Sequence, residues 1–351
     1  MAWRAHQVMG LQHLICDAFI SATNGYAQAS TGVALAALVS STDERTARLA
    51  GPFAINLVAG AKKQDLAKVD FRMMTMPAIL HVLRSLSRQK FVADMIVEKR
   101  MLSQLINMLR DQDASPISIE HATFIIGSVA LQPKWNDLIR NFQDTLPALM
   151  EAMKNGEEPG ARAGAARALQ YLTSQNDVEF LAKISDFKHV SMDRTGGAIG
   201  DIWTGMGAIM KLVQKGMTQS CWEHGAGLLR NMTVLEEIRE KTMMAPDDPG
   251  SAVSRLTAIM AEGNVMAKMH AAAALGNICN KNDRKSAIVA HAGKVLMSML
   301  KIDKVDPDVP PGELEFLDVK LPANLQRRNP PPSPCPCPSS LQPFARFRIC
   351  G

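Results

Sequence analysis

Aromatic residues are scarce in this sequence, at 5% of 351 residues, while alanine, leucine and methionine abound. That balance suits closely packed helices better than sheets. Long apolar runs are missing as well. The tract from Gly32 to Val39 falls far short of the roughly 18 residues that a membrane span needs, so none is expected. The N-terminus has no basic region leading into an apolar core and a cleavage site, which reads against a secretory leader. Arg4, with no acid before Asp17, admits a mitochondrial presequence as the competing reading, but such peptides are richer in Arg and Ser. Cys16, Cys221 and Cys279 stand far apart in helical segments. They read as small buried hydrophobes in a reducing compartment, cytoplasmic first and nuclear second. The net charge of +5 is modest for this length and implies no nucleic-acid partner.

Patterns that carry chemistry are equally thin. No Ser-His-Asp, Cys-His or paired-carboxylate grouping stands out. Gly196, Gly197, Gly200, Gly205 and Gly207 fit neither glycine-rich phosphate loop, and Ile199, Ile202, Trp203, Met206 and Ile209 recur at helical spacing. A tightly packed, glycine-tolerant helix is the expectation there. Glu120-His121 and Glu223-His224 are adjacent pairs, and neighbours on a helix point in different directions. Converging metal ligands are therefore not expected. His270 and His291 sit alone among apolar neighbours and read as core or boundary histidines. Cys335-Pro-Cys337 is half a zinc site, and Cys350-Gly351 is not a prenylation box. Lys62-Lys63, Lys99-Arg100 and Arg327-Arg328 are dispersed and read as solvated charge. No catalytic residue, metal or cofactor is expected.

What the chain does contain is repetition. The stretch from Ala267 joins an alanine-rich apolar helix ending in Leu275-Gly-Asn277-Ile278, a polar break at 280–284 and a second short apolar segment. Its anchor leucine recurs in Leu35-Ala-Ala-Leu38, Leu83-Arg-Ser-Leu86, Ile126-Gly-Ser-Val129, Leu169-Gln-Tyr-Leu172 and Leu229-Arg-Asn-Met232. Successive anchors lie 48, 43, 43, 60 and 46 residues apart. Helical solenoids repeat every roughly 40–47 residues, so the long step implies an insertion, expected at about 185–220. Turn chemistry punctuates the pattern. Ser40 to Glu44 supplies N-cap residues for a short helix over 45–50, which Gly51-Pro52 is expected to stop.

This pattern resembles the armadillo repeat family, whose last helix in each unit reads A-x-A-L-x-N-L. The resemblance implies an all-α, right-handed α-solenoid of about six armadillo- or HEAT-like repeats over 31–302. Residues 1–30, with Leu11, Leu14, Ile15, Ala18 and Phe19 at helical spacing, form a cap helix or partial repeat. Residues 303–351 alternate acids and prolines and then run through Asn329 to Ser340 rich in proline, a composition expected to be a disordered tail. The last repeat lacks the alanine-rich helix that should close it, so a truncated or altered C-terminus is expected, unless Glu313 to Leu317 folds back over that edge.

The family also implies a function: non-catalytic protein–protein interaction, with an extended partner segment lying along the groove lined by third helices. In the family the motif asparagine hydrogen-bonds the peptide backbone, an amide offering both a donor and an acceptor. Asn231 and Asn277 match that position here, Arg230 is next to the first, and the equivalent places hold Ala37, Ser85, Ser128 and Tyr171. The expected groove set is Asn231, Asn277, Arg230, Tyr171, Ser128 and Ser85. Two alternatives compete. Nuclear-import adaptors of the importin alpha type carry a tryptophan four residues before the asparagine, where this chain has Gly227 and Ala273. A HEAT-type metal-dependent hydroxylase would bind iron through His-Glu pairs, which here are reversed.

Overall fold

A computed structural model of the chain describes residues 2–38, 44–61, 68–111, 113–175, 177–189, 203–214, 217–243, 251–280, 284–286, 288–290, 292–293 and 295, with side chains from residue 11. The expectations for His291, for Glu313 to Leu317, for Cys335 and Cys337 and for the rest of 303–351 lie outside the described residues. So do 190–202 of the glycine-rich insertion.

The described chain is helix after helix. α1 (Ala2–Ser21) and α2 (Gly25–Leu38) are followed by α3 (Glu44–Gly60) and a five-residue π-helical turn, Phe71–Thr75, that runs into α4 (Met76–Leu86). Then come α5 (Lys90–Glu98), α6 (Met101–Arg110), α7 (Pro116–Ala130), α8 (Pro133–Asn141), α9 (Thr145–Asn155), α10 (Pro159–Leu172) and α11 (Val178–Ser185). α12 (Gly205–Leu212), α13 (Gln219–Met232), α14 (Glu236–Met243), α15 (Ala252–Glu262) and α16 (Val265–Ile278) follow. From α5 onward the unit is two short helices and a longer third helix carrying the anchor, an armadillo-like repeat seen in α5–α7, α8–α10, α11–α13 and α14–α16; ahead of these, α1 alone precedes α2 and α3 alone precedes α4.

Local chemistry explains where these helices begin. Ser115, Thr218, Ser251 and Asn264 each accept a backbone N–H from three residues on, which satisfies one of the orphan donors of a first turn. Pro116 and Pro159 sit in first turns, where a missing N–H costs nothing. Between first and second helices the chain reverses sharply, and Arg100 and Asp144 take left-handed conformations, with φ of 57° and 66°. In the fifth repeat, counted by its anchor Leu229, the same junction is longer. Lys188–His189 pairs antiparallel with Trp203–Thr204 across it, and α12 starts at Gly205. Trp203 is therefore extended, and the helix expected through it begins two residues later. A Cβ on Gly205 would run into the carbonyl of Ile184, so only glycine closes this junction.

Gly51-Pro52 does not stop the helix as its composition suggests. α3 runs through Pro52, and Gly51 lies against Val92, where a side chain would press at 3.3 Å. Packing of Ala47, Ala50, Ala54, Ile55 and Val58 into the core outweighs the hydrogen bond that proline removes, a cost of about 3 kcal/mol.

The third helices pack in sequence: α2 on α4, α4 on α7, α7 on α10, α10 on α13 and α13 on α16. All six anchors, Leu35, Leu83, Ile126, Leu169, Leu229 and Leu275, are buried in one continuous core. Small residues set the spacing. A Cβ on Gly164 of α10 would collide with Thr123 of α7, and one on Gly227 of α13 with Gln170 of α10. Close helix approach is thus written into those two positions.

Candidate functional site

The third helices present one row of side chains at matched register, and the position two after each anchor explains much of it. Asn231 is buried at 4% exposure, and its Nδ2 donates to the Gln170 carbonyl and to Thr173 Oγ1, both at 2.9 Å. One repeat later, Asn277 Nδ2 donates to the Arg230 carbonyl at 3.0 Å and to Thr233 Oγ1 at 3.2 Å. Ser85 Oγ donates to the Ala36 carbonyl at 3.4 Å, as well as to its own helix at His81. The same place in three repeats thus ties its helix to the C-terminal carbonyls of the third helix before it. The Gln170 and Arg230 carbonyls also accept from the Thr173 and Thr233 hydroxyls, so each asparagine bond joins a capped helix end to the next repeat and helps fix the rotation between them.

That geometry sorts the expected groove residues. Both N–H groups of Asn231 are spent inside the chain, and its Oδ1 accepts from Arg230 Nε at 3.2 Å and Nη2 at 3.1 Å. No capacity remains for a peptide unit. Asn277 is half-buried and, among the described residues, its Oδ1 takes no hydrogen bond. Ser128 is sealed and bonds back to the Phe124 carbonyl of its own helix. Tyr171 is half-buried, with its hydroxyl 3.4 Å from Arg167 Nε. The structure brings Arg230, Asn231 and Asn277 together and places Ser85 and Ser128 apart from them.

Sequence reasoning missed two clusters on this row. In the first, the His81 and His121 rings stack at 4.8 Å, and Arg84 Nη1 pairs with Glu120 at 2.5 Å and lies 3.2 Å from His121 Nδ1. Arg84, Arg88 and Arg167 gather on the Phe124 ring, at 4.5, 5.6 and 4.2 Å from its centroid. Burial, with the neighbouring His81 and Arg84, drives the His121 pKa down to about 3, so the ring is neutral at pH 7. A cation three or four residues from a histidine or an aromatic, as in His81/Arg84 and Arg167/Tyr171, was the available signal, but partners from other repeats complete the cluster.

The second cluster joins three repeats. Gln170 places its amide oxygen 3.0 Å from His224 Nδ1 and its amide nitrogen 3.2 Å from His270 Nε2, while Arg230 Nη1 lies 3.2 Å from His270 Nδ1. Burial holds His224 at about 3 and His270 at about 4, so both rings are neutral. Arginine can only donate, so His270 Nδ1 accepts and its Nε2 carries the proton. The amide facing Nε2 must then accept. A half-turn of the Gln170 amide puts its oxygen on His270 and its NH2 on His224 Nδ1, and each of the three contacts then has one donor and one acceptor. Burial likewise lowers the Arg230 pKa.

This chemistry does not build an iron site. His121 faces a guanidinium and His224 an amide, and among the described residues no three His, Cys, Asp or Glu side chains converge. No helix among the described residues is long and apolar enough to cross a membrane.

No protein-family model matches this chain, and no curated protein is similar to it. Among solved structures it is similar to computationally designed armadillo repeat proteins for modular peptide recognition. The identity is 15%, the TM-score 0.48, and the match covers 75% of this chain and 98% of that one.

Proposed function

We propose that the chain is a non-catalytic scaffold whose third-helix row receives an extended segment of a partner protein. The observation that carries this reading is the row itself: six stacked third helices joined by internal hydrogen bonds, with polar and aromatic side chains left over on the same face. A rigid, preorganised surface of that kind binds a flexible segment without paying to order itself. The contact set differs from a ladder of asparagines. Asn277 Oδ1 remains open to a peptide N–H, Tyr171 and Phe124 offer ring surface, and Arg230 and Arg167 supply charge. Asn231 acts by holding Arg230 and the repeat interface in place.

An adaptor for lysine-rich import signals is not favoured. The position four before Tyr171, where such adaptors carry a ring, holds Arg167, and the next two repeats hold Gly227 and Ala273. A guanidinium there repels a lysine stem.

The test is a footprint. A partner captured by the full chain is reduced to its binding segment, and amide exchange is compared with and without it. Slowed exchange on α10, α13 and α16, together with weakened binding of Asn277→Ala, which removes the open acceptor, is the expected result. Protection confined to the first or second helices overturns the reading.

A further inference from the structure

Arg167 is a cation without a counter-ion. It lies at 7% exposure between the Phe124 and Tyr171 rings, 4.2 and 5.4 Å from their centroids. Its Nε reaches only the Tyr171 hydroxyl, its Nη1 is sealed from solvent with no acceptor, and Nη2 keeps an open edge with no partner. No carboxylate pairs with it among the described residues; Glu120, the acid in this neighbourhood, is engaged by Arg84. Buried charges in proteins are paired, because an uncompensated one forfeits its hydration for nothing. Arg230, on the next third helix, is also held only by neutral groups, Asn231 and His270. Exposed Arg88 stands by the same Phe124 ring and likewise has no acid partner.

We infer that the stretch of the row formed by α7, α10 and α13 takes an aspartate or glutamate side chain of an extended partner segment, its carboxylate pairing with the Arg167 guanidinium. The inference rests on the scaffold reading above. A carboxylate matches the site better than a phosphoryl group. Arg167 offers one unpaired charge through its open Nη2 edge, and a singly charged carboxylate balances it with one charge-assisted hydrogen bond. The second charge of a phosphoryl group would find only Arg88, whose charge is already solvated. Phe124 and Tyr171 hold the fork in plane, so little is lost in ordering it, and Arg88 and Arg230 steer acidic segments toward the row.

The experiment uses the full chain and three short, capped, fluorescein-labelled peptides alternating alanine with glutamate, glutamine or phosphoserine, read by anisotropy at low and physiological salt. The glutamate peptide is expected to bind at least about tenfold tighter than the glutamine one. Arg167→Met, which keeps the stem against both rings, removes that preference. It also leaves the thermal midpoint unchanged or raised, because it deletes an unpaired charge; a purely structural arginine would lower it. If the methionine variant does not fold, Arg167→Lys replaces it and loses most of the preference, since the shorter ammonium does not place an N–H at the open Nη2 edge. Equal binding of the glutamate and glutamine peptides overturns the acidic inference and leaves the scaffold intact. So does failure of all three peptides while the captured partner still footprints on α10 and α13. A phosphoserine peptide that binds tenfold better than glutamate, through Arg88, overturns the choice of carboxylate.

Discussion

Asn231 and Asn277 occupy the same register, yet burial separates what they do. Asn231→Ala strips the Gln170 carbonyl and Thr173 of their shared donor in a sealed interface and takes the acceptor from Arg230 Nε and Nη2. A loss of about 1–3 kcal/mol in urea unfolding is expected. Asn277→Ala exposes its former partners to water and costs less, about 1 kcal/mol. Two glycines make a similar pair. Gly164→Ala forces Thr123 and the start of the Phe124 backbone away from α10 and is expected to destabilise by about 1–3 kcal/mol. Gly276→Ala meets open space in a helix and is expected to stabilise by up to about 1 kcal/mol. Equal effects of the two substitutions in thermal unfolding would contradict the packing described. Nothing local in sequence separates these cases, since each member of a pair sits in a similar apolar helix.

Among the elements, the short first helices are the weakest, and their ends are tied to neighbours. Asp177 caps α11 through the N–H groups of Glu179 and Phe180 and pairs with Arg140 of α8 at 2.6 Å. The hydrogen bond from the Phe180 N–H, with Arg140 beside it, holds its carboxyl below the usual range. The stabilisation is present above the unfolded carboxyl pKa and is lost as pH falls through the lower folded value. Asp177→Ala is expected to cost about 1 kcal/mol at pH 7 and nothing further at acid pH, read as a converging pair of stability curves. The cap was legible in Thr173 to Asp177 as a polar turn before an apolar run; the arginine from the preceding repeat was not.

For the whole array, neutral histidines set the pH response. His121, His224 and His270 bind protons at about 3, 3 and 4 in the fold, against roughly 6.5 in an unfolded chain. Between those limits the unfolded chain takes up more protons. The histidine contribution to stability therefore falls as pH drops from about 6.5, by at most about 1.4 kcal/mol per unit for each histidine, and levels off at about 4 for His270 and about 3 for His121 and His224. Urea unfolding at pH 7 and pH 5 checks this. Replacing His270 with glutamine should flatten the slope, and a slope that keeps its full steepness would refute the role given to the ring. Because these groups bridge repeats, acid is expected to loosen α10, α13 and α16 together rather than one at a time.

The sequence by itself determined the repeat. An apolar anchor returning every 43 to 48 residues, with one step of 60, can bury its face only by stacking helices, and capping residues and prolines say where those helices start. It pointed to an insertion within a broad span and put forward Asn231, Asn277, Arg230, Tyr171, Ser128 and Ser85 as one groove set. Tertiary structure alone decided what each polar group is for. The donors of Asn231 are spent because the Gln170 carbonyl, 61 residues earlier in the chain, arrives within hydrogen-bond range. Among the described residues Arg167 has no counter-ion because Glu120 turns to Arg84. Pro52 stays inside a helix because the core on either side of it is worth more than one hydrogen bond. Periodicity is a property of a single segment and can be read along the chain. Pairing, burial and charge balance belong to groups that meet only when the repeats stack.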